Sequence, residues 1–467
     1  MLSRSLATLI ALLPAAAFAE ESPAAPAPAA APAATAQAVA EPSPSWAVSV
    51  NAAEEYRFRS SDDPSESDHW GRISLDLDAD SPHDTFAARG SAGLWLRFND
   101  LPAAGTNYGL ASERNDNPWL DVYQLAADWR PNGVFQLLRV GRQEAEHGLP
   151  GTFDGLSATL HPIPMLRIFA FGGRTVHFFE IDQGVFENWI ASAGVELKGE
   201  NFKIEADYRF LKDDVASGST DPNDPSALGK STQTNHSYGL SGWYRYGDWL
   251  NARVTVRGLD SSVSLLGAAL RVQWLEQQLG LDAKIDVQPV ELGELNEFDN
   301  PYFLTLGTSS PHLKVHADAY KGFSGGAGEY AIHLGGDVRQ LINADESPFN
   351  RNLLRGYLMV TAAKIGGTGL FASLTGEIDQ VPDGKGLATI GGALGWDQKP
   401  VRVELGSAYQ RWQYVYFQSP QEIADEREFY GDVKVRVLSW LAIRARYSYE
   451  IFDRRLHTVT VSLTEAY

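Results

Sequence analysis

The 467-residue chain contains no cysteine, which excludes a disulfide framework and thiolate metal sites. Beyond the first nineteen residues it also lacks any long apolar run, and nothing approaches the roughly 18 residues a spanning helix needs. Bases are short against acids, 39 Lys and Arg to 59 Asp and Glu, for a formal net charge of −20. A nucleic-acid partner is excluded on that balance, because phosphates demand a net basic surface. Phosphate-binding glycine loops, dinucleotide fingerprints, H-E-x-x-H helices and cysteine zinc spacings are all missing. The D-P-N-D run at Asp221 to Asp224 is too short for a calcium loop. No cofactor and no metal is expected.

What is present is aromatic and alternating. The chain holds 12 Trp, 18 Tyr, 21 Phe and 43 Gly. Its last residues read LHTVTVSLTEAY, with Val459, Val461, Leu463 and Tyr467 on one parity and Thr458, Thr460, Ser462 and Thr464 on the other. The same period of two recurs upstream. Ile73, Leu75 and Leu77 alternate with Arg72, Asp76 and Asp78, Phe202, Ile204 and Ala206 with Lys203 and Glu205, and Ile443, Ala445 and Tyr447 with Arg444 and Arg446. Such runs exceed ordinary soluble strands and suit tilted membrane-spanning ones. Short turns near Ser81-Pro82, Gly199-Glu200, Gly247-Asp248, Lys399-Pro400 and Leu438-Ser439 alternate with long segments at 99–118, 174–187, 212–235, 288–310, 339–352 and 411–426. That rhythm predicts an all-β protein, a single closed antiparallel transmembrane β-barrel of about 18–22 strands. Two connections fit it less well: 321–329 is long for a turn and 453–455 is short for a loop. Glu465 is a charge on the apolar parity of the final strand, placed at the periplasmic rim.

Arg4, the apolar stretch Leu6 to Leu13 and Ala17-Phe18-Ala19 read as a secretory signal peptide over 1–19. Residues 20–45 are almost entirely Ala, Pro, Ser, Glu and Gln and read as a disordered periplasmic tether, leaving 46–467 for the barrel. The expected location is the outer membrane of a Gram-negative cell, with a periplasmic amino terminus. Lipids and lipopolysaccharide are expected around the wall, and a periplasmic export component is a candidate partner. No amino-terminal plug domain is recognisable, which points away from an energised receptor.

The charges are sorted. Acids cluster in loops, as at Asp62, Asp63, Glu66 and Asp68 or Glu291, Glu294, Glu297 and Asp299. Bases collect on the polar strand parity, where a lumen would lie. The pore-lining candidates on this parity are Arg89, Arg97, Arg139, Arg167, Arg209, Arg253, Arg257, Arg271, Arg402, Arg436, Arg444 and Arg446. Two readings stay open: a web of wall ion pairs with Asp76, Asp207, Asp282, Asp432 and other acids, or a conduit whose positive charge draws anions. Arginine serves both.

Residues 138–174 carry Gly141-Arg142-Gln143, then Phe153-Asp154-Gly155, then a strand from Arg167 to Arg174. This G-R-Q … F-D-G pattern resembles the alginate-export type of outer-membrane barrel and its porin-like relatives, over about 40 residues, with architecture alone matching elsewhere. The resemblance implies export of an acidic polysaccharide through an arginine-rich lumen, with Arg139, Arg142, Arg167 and Arg174 as pore candidates; Arg142 stands on the parity opposite to Arg139. The favoured function is an outer-membrane channel exporting an anionic exopolysaccharide. The alternatives are a general or anion-selective diffusion porin for a small solute, or a non-conducting surface or structural barrel. An enzyme is the weakest reading, since the pairs His316 with Asp318 and His333 with Asp337 stand beside no nucleophilic serine motif.

Overall fold

The computed structural model describes residues 46–62, 67–98, 118–131, 133–145, 151–176, 188–217, 229–291, 310–343, 351–380, 386–413, 423–451 and 455–466. The expected signal peptide and tether, most of the long loops, and Tyr467 lie outside the described residues.

The described chain is strand after strand: β1 (Ala47–Ser61), β2 (Ser67–Asp80), β3 (Phe86–Arg97), β4 (Trp119–Trp129), β5 (Phe135–Glu144), β6 (Thr152–Ile163), β7 (Leu166–Thr175), β8 (Trp189–Lys198), β9 (Phe202–Ser217), β10 (Gly229–Tyr246) and β11 (Leu250–Leu259). It continues with β12 (Ser262–Trp274), β13 (Leu279–Gln288), β14 (His312–Gly325), β15 (Gly328–Leu341), β16 (Leu353–Ala363), β17 (Leu370–Gln380), β18 (Leu387–Gln398), β19 (Val401–Gln413), β20 (Ile423–Arg436), β21 (Leu441–Ile451) and β22 (Arg455–Ala466). They form one 22-stranded antiparallel sheet in chain order. Pairing of β1 with β22, from Asn51↔Ala466 to Ser61↔Leu456, closes it into a barrel. Closure satisfies the backbone within the sheet and leaves no edge, the condition for a strand protein to sit in lipid.

Residues paired across neighbouring strands share a face, so the register sorts every side chain inward or outward. Outward, Leu374, Ile378, Ile390, Leu394 and Leu405 are each more than half exposed although apolar. A belt of exposed aliphatic side chains around a closed barrel is a lipid-facing surface. Inward lie Arg72, Asp76, Asp282, Lys284, Arg444 and their like. Even-numbered strands hand over to the next strand through connections of six residues or fewer, and these define a turn rim. The long connections define the opposite, loop rim.

Three connections differ from the sequence expectation. The 321–329 segment is strand almost throughout, with a two-residue turn between Gly325 and Gly328. Gly328 takes φ 137 there, and a Cβ would lie 2.8 Å from the Ala363 carbonyl oxygen, which explains a glycine run that hides the hairpin from alternation. The 212–235 segment is mostly strand as well, with β9 running to Ser217 and β10 starting at Gly229. On the loop rim β11 and β12 are joined by only Asp260 and Ser261.

The inner wall has two sectors. From β4 to β9 it is covered: Phe153, Phe171, Ile190 and Leu211 form a buried cluster with Ala145 packed against it, and Asp128 and Gln143 are almost inaccessible. From β11 to β13 Arg253, Arg271, Gln273 and Lys284 stand exposed on the inner face.

Candidate functional site

Inward-facing arginines divide by what they touch. Arg139 clasps Asp128 through Nε at 2.6 Å and Nη2 at 3.0 Å. Arg89 bridges Asp78 at 3.0 Å and Asp80 at 2.9 Å. Arg257 reaches Asp207 at 2.7 Å, Arg271 reaches Asp282 at 2.6 Å, and Arg444 reaches Asp432 at 2.6 Å. Arg402 pairs with Glu404 at 2.8 Å, Arg446 with Glu428 at 3.0 Å, and Arg167 with Glu196 at 3.6 Å. Arg97 and Arg209 are buried against the wall, the latter donating to Ser237 at 3.3 Å. Each guanidinium whose charge is met by a neighbouring carboxylate stiffens the wall and adds little field to the lumen.

Among the arginines singled out from the sequence, Arg253 and Arg436 are the exceptions. Both are exposed on the inward parity, and among the described residues neither has a carboxylate within ion-pair distance. Lys314 and Lys434 share that condition on β14 and β20.

Arg142 and Arg174 stand elsewhere. Arg142 pairs across the sheet with the exposed Leu125 and with Asp154, and Asp154 pairs with Arg174. All three are on the outward face near the loop rim, not in the lumen where the sequence reading put the two arginines. The reason is parity: Arg142 is three residues from the inward Arg139. Arg142 holds Asp154 through Nε and Nη2, both at 2.8 Å, and donates to the Val122 carbonyl at 2.9 Å.

The feature sequence reasoning missed is aromatic. Two cross-strand rows face the lumen near the loop rim, Arg57↔Trp70↔Arg97 and Arg72↔Trp95↔Trp119. Trp95 and Trp119 stack with ring planes 8° apart and centroids 5.4 Å apart, and Trp70 lies 5.2 Å from Trp95. The Arg72 guanidinium sits 4.7 Å over Trp95 and 6.0 Å from Tyr123, and Arg57 sits 5.7 Å from Trp70. Contacts of this kind are worth about 0.5–2 kcal/mol each and hold the guanidinium plane in place. Arg72 Nε and Trp95 Nε1 are buried donors with no acceptor among the described residues, an arrangement that costs free energy unless a ligand or water supplies one. The signal was available: Trp70-Gly-Arg72 and Trp95-Leu-Arg97 repeat a Trp-x-Arg spacing that puts both side chains on one strand face.

His316 Nδ1 lies 3.0 Å from Asp337 rather than beside Asp318, which instead accepts from the Tyr357 hydroxyl at 2.9 Å. Among the described residues no group of three His, Asp or Glu is placed to hold a metal ion.

No family model matches this chain, and no curated protein matches it. Solved structures resemble it in fold. The translocation pore of the P pilus usher PapC aligns with a TM-score of 0.46 and 8% identity, covering 90% of this chain and 99% of that one. OccK5 (OpdH) of Pseudomonas aeruginosa aligns with a TM-score of 0.42 and 12% identity over 90% and 98% of the two chains. OccAB4 of Acinetobacter baumannii gives 0.41 and 9% over 91% and 98%. At these scores the likeness says nothing about what passes through the barrel.

Proposed function

We propose that this protein is an outer-membrane channel that passes an anionic polysaccharide outward to the cell surface. The observation that carries the reading is the Arg–Trp ladder of β1 to β4. Flat indoles are the surfaces on which pyranose rings stack, and guanidinium groups beside them take carboxylates; the ladder sets both on one stretch of the inner face. An acidic sugar presents both complements at once. The G-R-Q … F-D-G resemblance favours the same solute class.

A diffusion channel for small anions is the second reading, favoured by the exposed, unpaired Arg253 and Arg436 elsewhere on the inner wall. The two separate in planar bilayers. Oligouronates should block the open channel in a concentration-dependent way, neutral glucose oligomers more weakly, and Trp95→Ala with Trp119→Ala should abolish the difference while conductance persists. Equal block by both sugars, or block untouched by the substitutions, defeats the polysaccharide reading and leaves the small-anion channel. A folded barrel without conductance defeats both.

A further inference from the structure

Among the strand residues whose side chains are described, six bases face outward near the loop rim: Arg142 on β5, Arg174 on β7, Lys212 on β9, Arg411 on β19, Arg427 on β20 and Arg455 on β22. Near the turn rim Lys321 is the one outward base in the described strands. The acids offset only part of this bias: on the loop side Asp154 holds Arg142, Asp425 lies 3.5 Å from Arg411, Asp62 lies 3.9 Å from Arg455, and Glu144 stands beside them, while Glu54 and Glu465 stand on the turn side. A chain of net charge −20 therefore carries local excess positive charge on one outward band.

The depth of the band is marked by a recurring aromatic device. Tyr56 with His69, Tyr208 with His236 and Tyr447 with His457 are hydrogen-bonded outward-facing pairs at 3.0, 2.6 and 2.8 Å. In each, the histidine lies opposite the aromatic residue two positions beyond the tyrosine: Phe58↔His69, Phe210↔His236 and Tyr449↔His457. Apolar bodies with polar tips settle at the membrane–water boundary. Lys212 is the next outward residue beyond Phe210, and Arg455 the next beyond His457. The bases thus begin one step past the aromatic girdle, at headgroup depth.

Their spacing repeats. Arg142, Arg174 and Lys212 occupy alternate strands, as do Arg427 and Arg455, so neighbours are about 10 Å apart at roughly 4.8 Å per strand. Asp154 locks Arg142 in place, and Arg427 lies 6.0 Å from the Tyr409 ring. Fixed guanidinium groups bind phosphate bidentately.

We infer that these two arcs bind the phosphate groups of a phosphorylated glycolipid in the outer leaflet. The inference rests on the outer-membrane reading above but not on what the channel conducts. The test uses the folded full-length barrel in neutral detergent, scored by gel mobility after graded heating. Purified lipopolysaccharide should raise the unfolding midpoint by several degrees, and dephosphorylated lipopolysaccharide or equimolar inorganic phosphate should give less than half of that rise. The pairs R174Q/K212Q and R427Q/R455Q, made separately so that one arc always remains, should each lose part of the rise. Block by oligouronates in phospholipid bilayers should be unchanged in both, which separates failure here from failure of the channel reading. A rise that persists in both variants, or one matched by dephosphorylated lipid or free phosphate, overturns the proposal.

Discussion

Gly239→Ala is a small substitution with a large expected effect. Gly239 lies on β10 directly between Asp207 of β9 and Arg257 of β11. The guanidinium crosses over the glycine to reach the carboxylate, with Nη1 at 3.0 and 2.7 Å from its two oxygens. A methyl group at 239 would collide with both side chains. Arg257, with a side chain 15% exposed, can swing into the lumen, but Asp207 at 3% stays in the wall without its partner. Leaving a buried charge unpaired costs about 3–5 kcal/mol. Relaxation of Asp207 towards other donors lowers this, so a loss of about 2–4 kcal/mol is expected. Urea unfolding in lipid vesicles, followed by tryptophan fluorescence, reads it directly. The control is the background Asp207→Ala with Arg257→Ala. With nothing crossing it, the glycine becomes an ordinary extended residue, and Gly239→Ala should then stabilise by about 0.4–1 kcal/mol through the unfolded chain. An equal loss in both backgrounds would refute the argument, because the cost could not come from the crossing pair.

Arg253→Glu should shift the reversal potential under a salt gradient towards cation preference with the barrel still folded, whereas Arg257→Glu sets two carboxylates against each other in the wall and should deplete the folded band on a gel; equal effects would mean that the paired and unpaired arginines do not differ. Phe153→Ala removes a fully buried ring from the inner cluster and should cost about 3–5 kcal/mol in the urea assay, and an unchanged midpoint would show that the cluster does not contribute to stability.

Much of the barrel was legible because its two constraints are local. Alternation names the face of each residue, and turn chemistry marks where strands reverse, so the 22 strands fall at the top of the expected range. Legibility failed where local signals are weak. The glycines at 325, 326 and 328 interrupt alternation across a two-residue turn, and the polar run beyond Lys212 reads as loop although backbone pairing carries it on as strand. The site was half legible. Parity placed Arg139 and Arg253 inward, but Arg142 and Arg174 were grouped with them through a motif rather than through parity, and the register sets them outside. Whether an inward arginine is neutralised depends on neighbours one or two strands away, which no single strand reveals. Trp70, Trp95 and Trp119 were invisible as a group for the same reason, being brought together only by the pairing of three strands.

The seam between β1 and β22 differs from the rest of the wall. Between Leu456 and Ala466 the lumen side of β22 is all hydroxyl, Thr458, Thr460, Ser462 and Thr464, facing Arg59, Arg57, Glu55 and Ala53. The one ion pair found across this seam among the described residues is Arg455 with Asp62 at the loop rim, 3.9 Å apart. The seam is therefore stitched almost wholly by main-chain hydrogen bonds. Unlike the Asp207–Arg257 crossing, it can zip progressively from either rim without first aligning fixed charges. A foreign β-edge could occupy β22 during folding and be displaced stepwise as β1 arrives, with no salt bridge to break along the strand.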